Sequence, residues 1–120
     1  MTQQLTTLTS PVVTTSKEIQ GHTARQNLGI VRGIVVRSPN LAQGIFGIFR
    51  SLLGGNIGTF ESICERARQE AYHRMVLHAT EIGADAVLAM RYDATEFMSG
   101  MTEVLAYGTA VKLEPPTDPR

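Results

Sequence analysis

The sequence predicts an α+β domain: an antiparallel sheet of about four strands packed on one long helix, in the element order β-β-α-α-β-β. Three observations carry that expectation. Between residues 59 and 82, apolar side chains fall at Phe60, Ile63, Cys64, Ala67, Ala71, Met75, Ala79 and Ile82, at steps of three and four that line one helix face. Glycines bracket this run, with Gly54, Gly55 and Gly58 before it and Gly83 after. On both sides of it, residues 28–37, 86–95 and 101–113 alternate with the two-residue period of a strand.

The other face of the long helix carries Glu61, Glu65, Arg66, Gln69, Glu70, His73, Arg74 and Glu81, which suits water. Thr59 is the expected N-cap, with Glu61 in the first turn, where the helix dipole favours an anion. Gly83 is the expected C-terminal stop. A helix over 59–82 spans about 35 Å at about 1.5 Å per residue, enough to cross a whole sheet.

In chain order, residues 1–10 are rich in Thr and Gln and read as a loose tail. Residues 11–15 are β-branched and read as a first strand, and residues 17–26 as a turn or irregular edge. Along 28–37, Leu28, Ile30, Ile34 and Val36 share one face, with Arg32 intruding, and Gly29, Val31, Gly33, Val35 and Arg37 the other. Apolar residues on both faces predict a strand covered on both sides, by the helix and by another chain. Gly29 and Gly33 weaken this strand unless a neighbour approaches its backbone.

Ser38, Pro39 and Asn40 open a second, shorter helix over 41–53, with Leu41, Ile45, Phe46, Ile48, Phe49, Leu52 and Leu53. Only Arg50 is charged there, so this helix belongs in a core, a subunit interface or against a membrane surface. The membrane alternative fits least, because interfacial helices carry several Lys or Arg. After the long helix, Leu88, Met90 and Tyr92 alternate against Val87, Ala89, Arg91 and Asp93, and residues 96–100 read as a five-residue hairpin loop. On the last strand Met101, Leu105, Tyr107 and Val111 oppose Val104, Ala106 and Ala110. Residues 114–120 contain three prolines and read as a tail, which leaves 11–113 as a single domain.

Composition narrows the function. The 120 residues suit one domain that buries roughly two-thirds of its unfolded surface. Eleven basic residues balance eleven acidic ones, so nothing favours nucleic acid as a partner. A single cysteine excludes an internal disulfide and suits a reducing compartment. The first residues lack the basic start and apolar core of a signal peptide, and no stretch is long enough to span a bilayer, so the expected location is the cytoplasm.

Four motifs in order, 53–61 (Leu-Gly-Gly-Asn-Ile-Gly-Thr-Phe-Glu), Arg66-Ala-Arg68, 82–87 (Ile-Gly-Ala-Asp-Ala-Val) and 107–112 (Tyr-Gly-Thr-Ala-Val-Lys), resemble the YbjQ-like family of small bacterial and archaeal proteins. The resemblance covers about residues 12–113. It implies a dodecin-like subunit and a ring-shaped homo-oligomer, a pentamer; the apolar 41–53 helix and the sheet surfaces are where the residues themselves lead us to expect its contacts. The family's heavy-metal-binding label implies a divalent or heavy-metal ion as cofactor, with no ligand motif to transfer.

The residues themselves offer Cys64, His78 and His22 as candidate metal ligands, with His73 beside them. A zinc site needs three or four ligands converging on one ion. Cys64 and His78 share a helix face but lie about 21 Å apart along it. His73 and His78 point about 140° apart. No single helix chelates with these, so a site requires His22 to fold onto the helix or one residue to repeat around a ring axis. The alternatives are ordinary: Cys64 as a small buried hydrophobe, His78 as a hydrogen-bonded edge residue, His73 as a solvated partner of Glu70.

No catalytic motif stands out. Asp85 and Asp93 fall at opposite ends of a strand, and Asp85 reads as a turn residue. The loop 54–58 precedes a helix and could cradle an anion, yet it lacks the Lys-Ser/Thr of a P-loop and is followed by Glu61. The expected function is therefore a non-enzymatic oligomer, with or without a small ligand at its interfaces.

Overall fold

The structure, a computed structural model, describes residues 10–37, 57–98 and 100–115, and the backbone alone over 57–61. The expected short helix over 41–53, most of both tails and the loop residues Gly54 to Asn56 lie outside the described residues. Four strands and one helix follow in order: β1 (Val12–Val13), β2 (Ala24–Arg37), α1 (Ile57–Glu81), β3 (Ala86–Met98) and β4 (Met101–Leu113).

The α+β class holds, but the sheet is mixed rather than antiparallel, with strand order β1-β3-β4-β2. β3 and β4 form the expected antiparallel hairpin, and β2 pairs antiparallel with β4. β1 lies parallel to β3, with Val12 beside Ala86 and Val13 beside Val87. The amides of Val12 and Thr14 donate to the carbonyls of Asp85 and Val87, which places β1 on the β3 side. The chain must then cross to the opposite edge to begin β2, so β1 and β2 cannot be neighbours. β2 starts earlier than the sequence suggests: Ala24 to Gln26 are strand, with a register shift that explains their irregular look.

α1 begins at Ile57, so Thr59 lies inside it instead of capping it, and its first turn contains no acid. Its end is as expected. The Ala84 amide donates to the Ala79 carbonyl (2.9 Å) and the Gly83 amide to the Thr80 carbonyl (3.0 Å). Gly83 has φ +79°. These paired bonds are a Schellman motif, with Gly83 in the left-handed conformation that reverses the chain into β3.

The core lies between α1 and one sheet face. Val31 and Val35 of β2, Ala71, Met75 and Ala79 of α1, Val87 and Met90 of β3, and Ala106 and Ala110 of β4 are buried together. The small helix residues let the backbones come close. A Cβ on Gly33 would collide with the Ala71 carbonyl oxygen and lie 2.5 Å from the Met75 amide nitrogen. That close approach is what offsets the weakness of glycine in a strand here.

Two bulges alter the faces that simple alternation predicts. In β2, Asn27 pairs with Val111 and Gly29 with Ala110, leaving Leu28 as the extra residue. Leu28 therefore packs with the helix-side core and not with Ile30 and Ile34. In β3, Leu88 pairs with Thr109 and Arg91 with Tyr107, so three steps on β3 match two on β4. Ala89 takes φ +53° at this bulge. Val87, Met90 and Tyr92 consequently face the helix side, while Leu88 turns to the other face, where it joins Ala86 and Val111 under Ile19 and Leu113. At the hairpin Met98 pairs with Met101, so the connection is two residues, not five.

Cys64 is exposed, not buried. Its angle on the helix suits the apolar stripe, but β3 is exposed from Arg91 to Met98, so the turn of α1 around Cys64 lacks the close sheet packing that Ala71 and Met75 have.

Candidate functional site

The sheet face away from α1 is the most unusual surface among the described residues. Register places side chains on it in rows of three across β2, β4 and β3: Arg32–Tyr107–Arg91, Ile34–Leu105–Asp93 and Val36–Glu103–Thr95. The row below, Ile30–Thr109–Leu88, leads to the small cluster that Ile19 covers. Above it the face is open. Ile30 is 70% exposed, Ile34 38% and Val36 46%. These are β-branched residues in a central stretch of strand, a type that is normally covered. The expected cover by the helix exists on one side only of β2 in a single chain.

The outer edge of β2 is guarded from α1. His78 Nδ1 accepts a hydrogen bond from the Arg32 amide (3.3 Å), and Arg74 donates to the Ile34 carbonyl (2.6 Å). Arg37 pairs with Glu70 at 2.9 Å, both side chains about two-fifths exposed. Helix and strand run antiparallel, so residues 78, 74 and 70, one turn apart, meet residues 32, 34 and 37. Two of the edge groups that could template a foreign strand, the Arg32 amide and the Ile34 carbonyl, are thus occupied by the chain's own side chains.

The candidate metal ligands are dispersed. Cys64 lies exposed on the first half of α1. His22 lies exposed before β2, its own amide donating to the Ile19 carbonyl. His73 is exposed, with its ring edge-on to Tyr72 at 6.0 Å. His78 is half-buried, its Nδ1 accepting from the Arg32 amide. Among the described residues, no group of three or more His, Cys, Asp or Glu could hold a metal ion. Asp85 and Asp93 both serve the backbone: Asp85 accepts from the Leu113 amide and Asp93 from the Ala94 amide. Of the anion loop, Ile57 and Gly58 belong to α1.

Sequence reasoning missed Arg74 and Tyr92. Arg74 sits on the polar face of α1, and only the bulged register reveals that it reaches Ile34. Tyr92 faces the helix side, and burial pushes its phenol above the usual value of 10.0; Tyr72 and Glu65 push the same way, against Arg68. The folded chain therefore holds the phenol proton more tightly than the unfolded chain does. The resulting stability is intact below pH 10 and falls as pH rises above it. We expect urea unfolding midpoints to drop above about pH 10. Tyr92→Phe should flatten part of that drop, and an unchanged profile would show that the phenol is free in solution.

No helix among the described residues is long and apolar enough to cross a membrane. A family model of the YbjQ type, described as "Putative heavy-metal-binding", matches residues 12–114, from β1 to just past β4. The chain belongs to this family. It is 58% identical over 108 residues to a UPF0145 protein of Chromobacterium violaceum, covering 90% of this chain and 92% of that one. A UPF0145 protein of Paraburkholderia phymatum is 52% identical over 100 residues, 83% and 90% of the two chains. One of Legionella pneumophila is 49% identical over 100 residues, 83% and 95%. The matched span of the YbjQ-like model contains the open rows, the guarded edge and all four candidate metal ligands.

Proposed function

We propose that this YbjQ-like protein is a non-enzymatic homo-oligomer, a closed ring of five, that holds a metal ion or small ligand where subunits meet. The observation that supports it is the open sheet face, with Ile30, Ile34 and Val36 left to water in one chain. Exposed β-branched residues spaced along one strand face, here with Arg32 between them, form the kind of surface that a neighbouring subunit covers. A metal site would then be composite: Cys64, His22 and His78 lie apart within one chain, and a ring axis or a neighbour would bring copies of one of them together. The lone thiol favours a reducing, cytoplasmic setting. One observation favours a second reading, an oligomer with no small ligand: His78 Nδ1 is engaged by the Arg32 amide, so binding through that nitrogen would cost the strand edge a hydrogen bond.

Sedimentation velocity at micromolar concentration should give a mass several times that of the subunit; a stable monomer would overturn the ring. Elemental analysis of protein purified without chelator or affinity tag, followed by calorimetric titration with zinc, copper, cadmium and nickel, separates the two readings. Bound metal or heat of binding supports the first, and neither supports the second.

A further inference from the structure

We infer that the subunits meet head to tail, the acidic distal arm of β3 in one copy docking on the basic flank of β2 in the next. This deepens the ring reading above and rests on it. The two flanks of the sheet differ in sign. β2 carries Arg25, Arg32 and Arg37 and no acid. Arg74 adds a fourth guanidinium at the same edge, bonded to the Ile34 carbonyl. From residue 92 to 111 the chain contains Asp93, Glu96 and Glu103 and no Lys or Arg. Asp93 and Glu96 lie on the arm of β3, and both are exposed.

The arm is also short of cover. β1 pairs with β3 only at Ala86 and Val87; the last backbone bond to that segment is from the Met90 amide to the Thr14 carbonyl, and the Arg91 side chain donates to the Thr15 carbonyl. From Arg91 to Met98 β3 is exposed on both faces, with Tyr92, Phe97 and Met98 among its side chains. A partner for this arm must be basic and must tolerate exposed aromatic and apolar groups.

A second copy supplies such a surface. The β2 flank offers Arg32 beside Ile34 and Val36 on the face away from α1, and Arg37 at the α1 edge, where it is paired with Glu70. A symmetric contact of arm on arm would set Asp93 and Glu96 against their own copies, and flank on flank would set arginine against arginine; both are repelled. Arm on flank joins opposite signs. Such a contact is heterologous, and repeated around an axis it closes a ring. Because His78 and Arg74 already occupy the Arg32 amide and Ile34 carbonyl, the joint is made by side chains and not by a continuous backbone ladder.

The test uses two full-length variants, D93K/E96K and R32E/R37E, with circular dichroism to verify that each is folded. Should R32E/R37E not fold, Arg32→Glu alone replaces it. At a salt concentration where the wild type is assembled, each variant alone should sediment as monomer, since each carries arm and flank of one sign. Both pairs combined in one chain, R32E/R37E/D93K/E96K, give arm and flank opposite signs again, and that variant should reassemble into the ring. Wild-type assembly should weaken as salt rises from about 0.1 to 1 M, where screening shortens to about 3 Å. A wild-type monomer would overturn the ring and this contact with it. A wild-type oligomer whose assembly neither variant disturbs, or a combined variant that folds but stays monomeric, would overturn the contact alone.

Discussion

Gly33→Ala should destabilise the fold by about 3 kcal/mol, in the upper range for overpacking a filled core. The added methyl has nowhere to go. The nearest atoms are the Ala71 carbonyl oxygen and the Met75 amide nitrogen, which are backbone of α1, and Arg74 Cβ at 2.8 Å. Backbone held in a helical hydrogen-bond ladder cannot yield as a flexible side chain would. The helix must lift, and Val31, Val35, Ala71 and Met75 then lose contact together. Gly29→Ala is the control. A Cβ there meets nothing within 4 Å, but Gly29 has φ +107°, so only backbone strain of about 1–2 kcal/mol is expected. Urea unfolding at one fixed protein concentration compares the two, since assembly makes stability concentration-dependent. Equal costs at the two positions would mean that α1 does not rest on Gly33.

Met75→Ala should cost about 2–5 kcal/mol, the range for truncating a large buried side chain. Met75 is fully buried and is among the largest side chains so enclosed. Its neighbours include several alanines, whose short side chains cannot collapse into the space it would vacate. Met75→Leu, nearly equal in volume, should cost under about 1.5 kcal/mol. Leu77→Ala, two residues along and on the exposed side of α1, should stay within about 0.5 kcal/mol. If Leu77→Ala proved the more damaging, α1 would be turned the other way in solution, or Leu77 would be buried by a second copy.

The physics of single elements was legible in the sequence; the physics of pairing was less so. The stripe Ala67, Ala71, Met75 and Ala79 marks the buried face of α1, and Gly83 marks its end, because both depend on local geometry alone. Val104, Ala106 and Ala110 were legible for the same reason, since β4 runs without a bulge in that stretch. Leu28 and Leu88 were misassigned because a bulge shifts the period by one residue; Gly29, at φ +107°, marks the first, but no residue type announces the second, where Ala89 fills the left-handed position. The partner of β1 was not legible either, as two residues can pair wherever an edge is open. The exposure of Cys64 depends on how far the sheet packs beneath α1, a tertiary fact that periodicity does not encode. For the site, Ile30, Ile34 and Val36 were visible as a second apolar face, whereas the links of His78 to Arg32 and Arg74 to Ile34 required the register of helix against strand.

Ala89 governs which way everything beyond it looks. Were it drawn into the regular ladder, with the bulge lost and no residue removed, the far half of β3 would roll over: Tyr92 would swing out from beneath α1, and Asp93 would swing in. A slip of one residue would thus invert the outward chemistry of a whole projecting segment, while leaving its composition untouched.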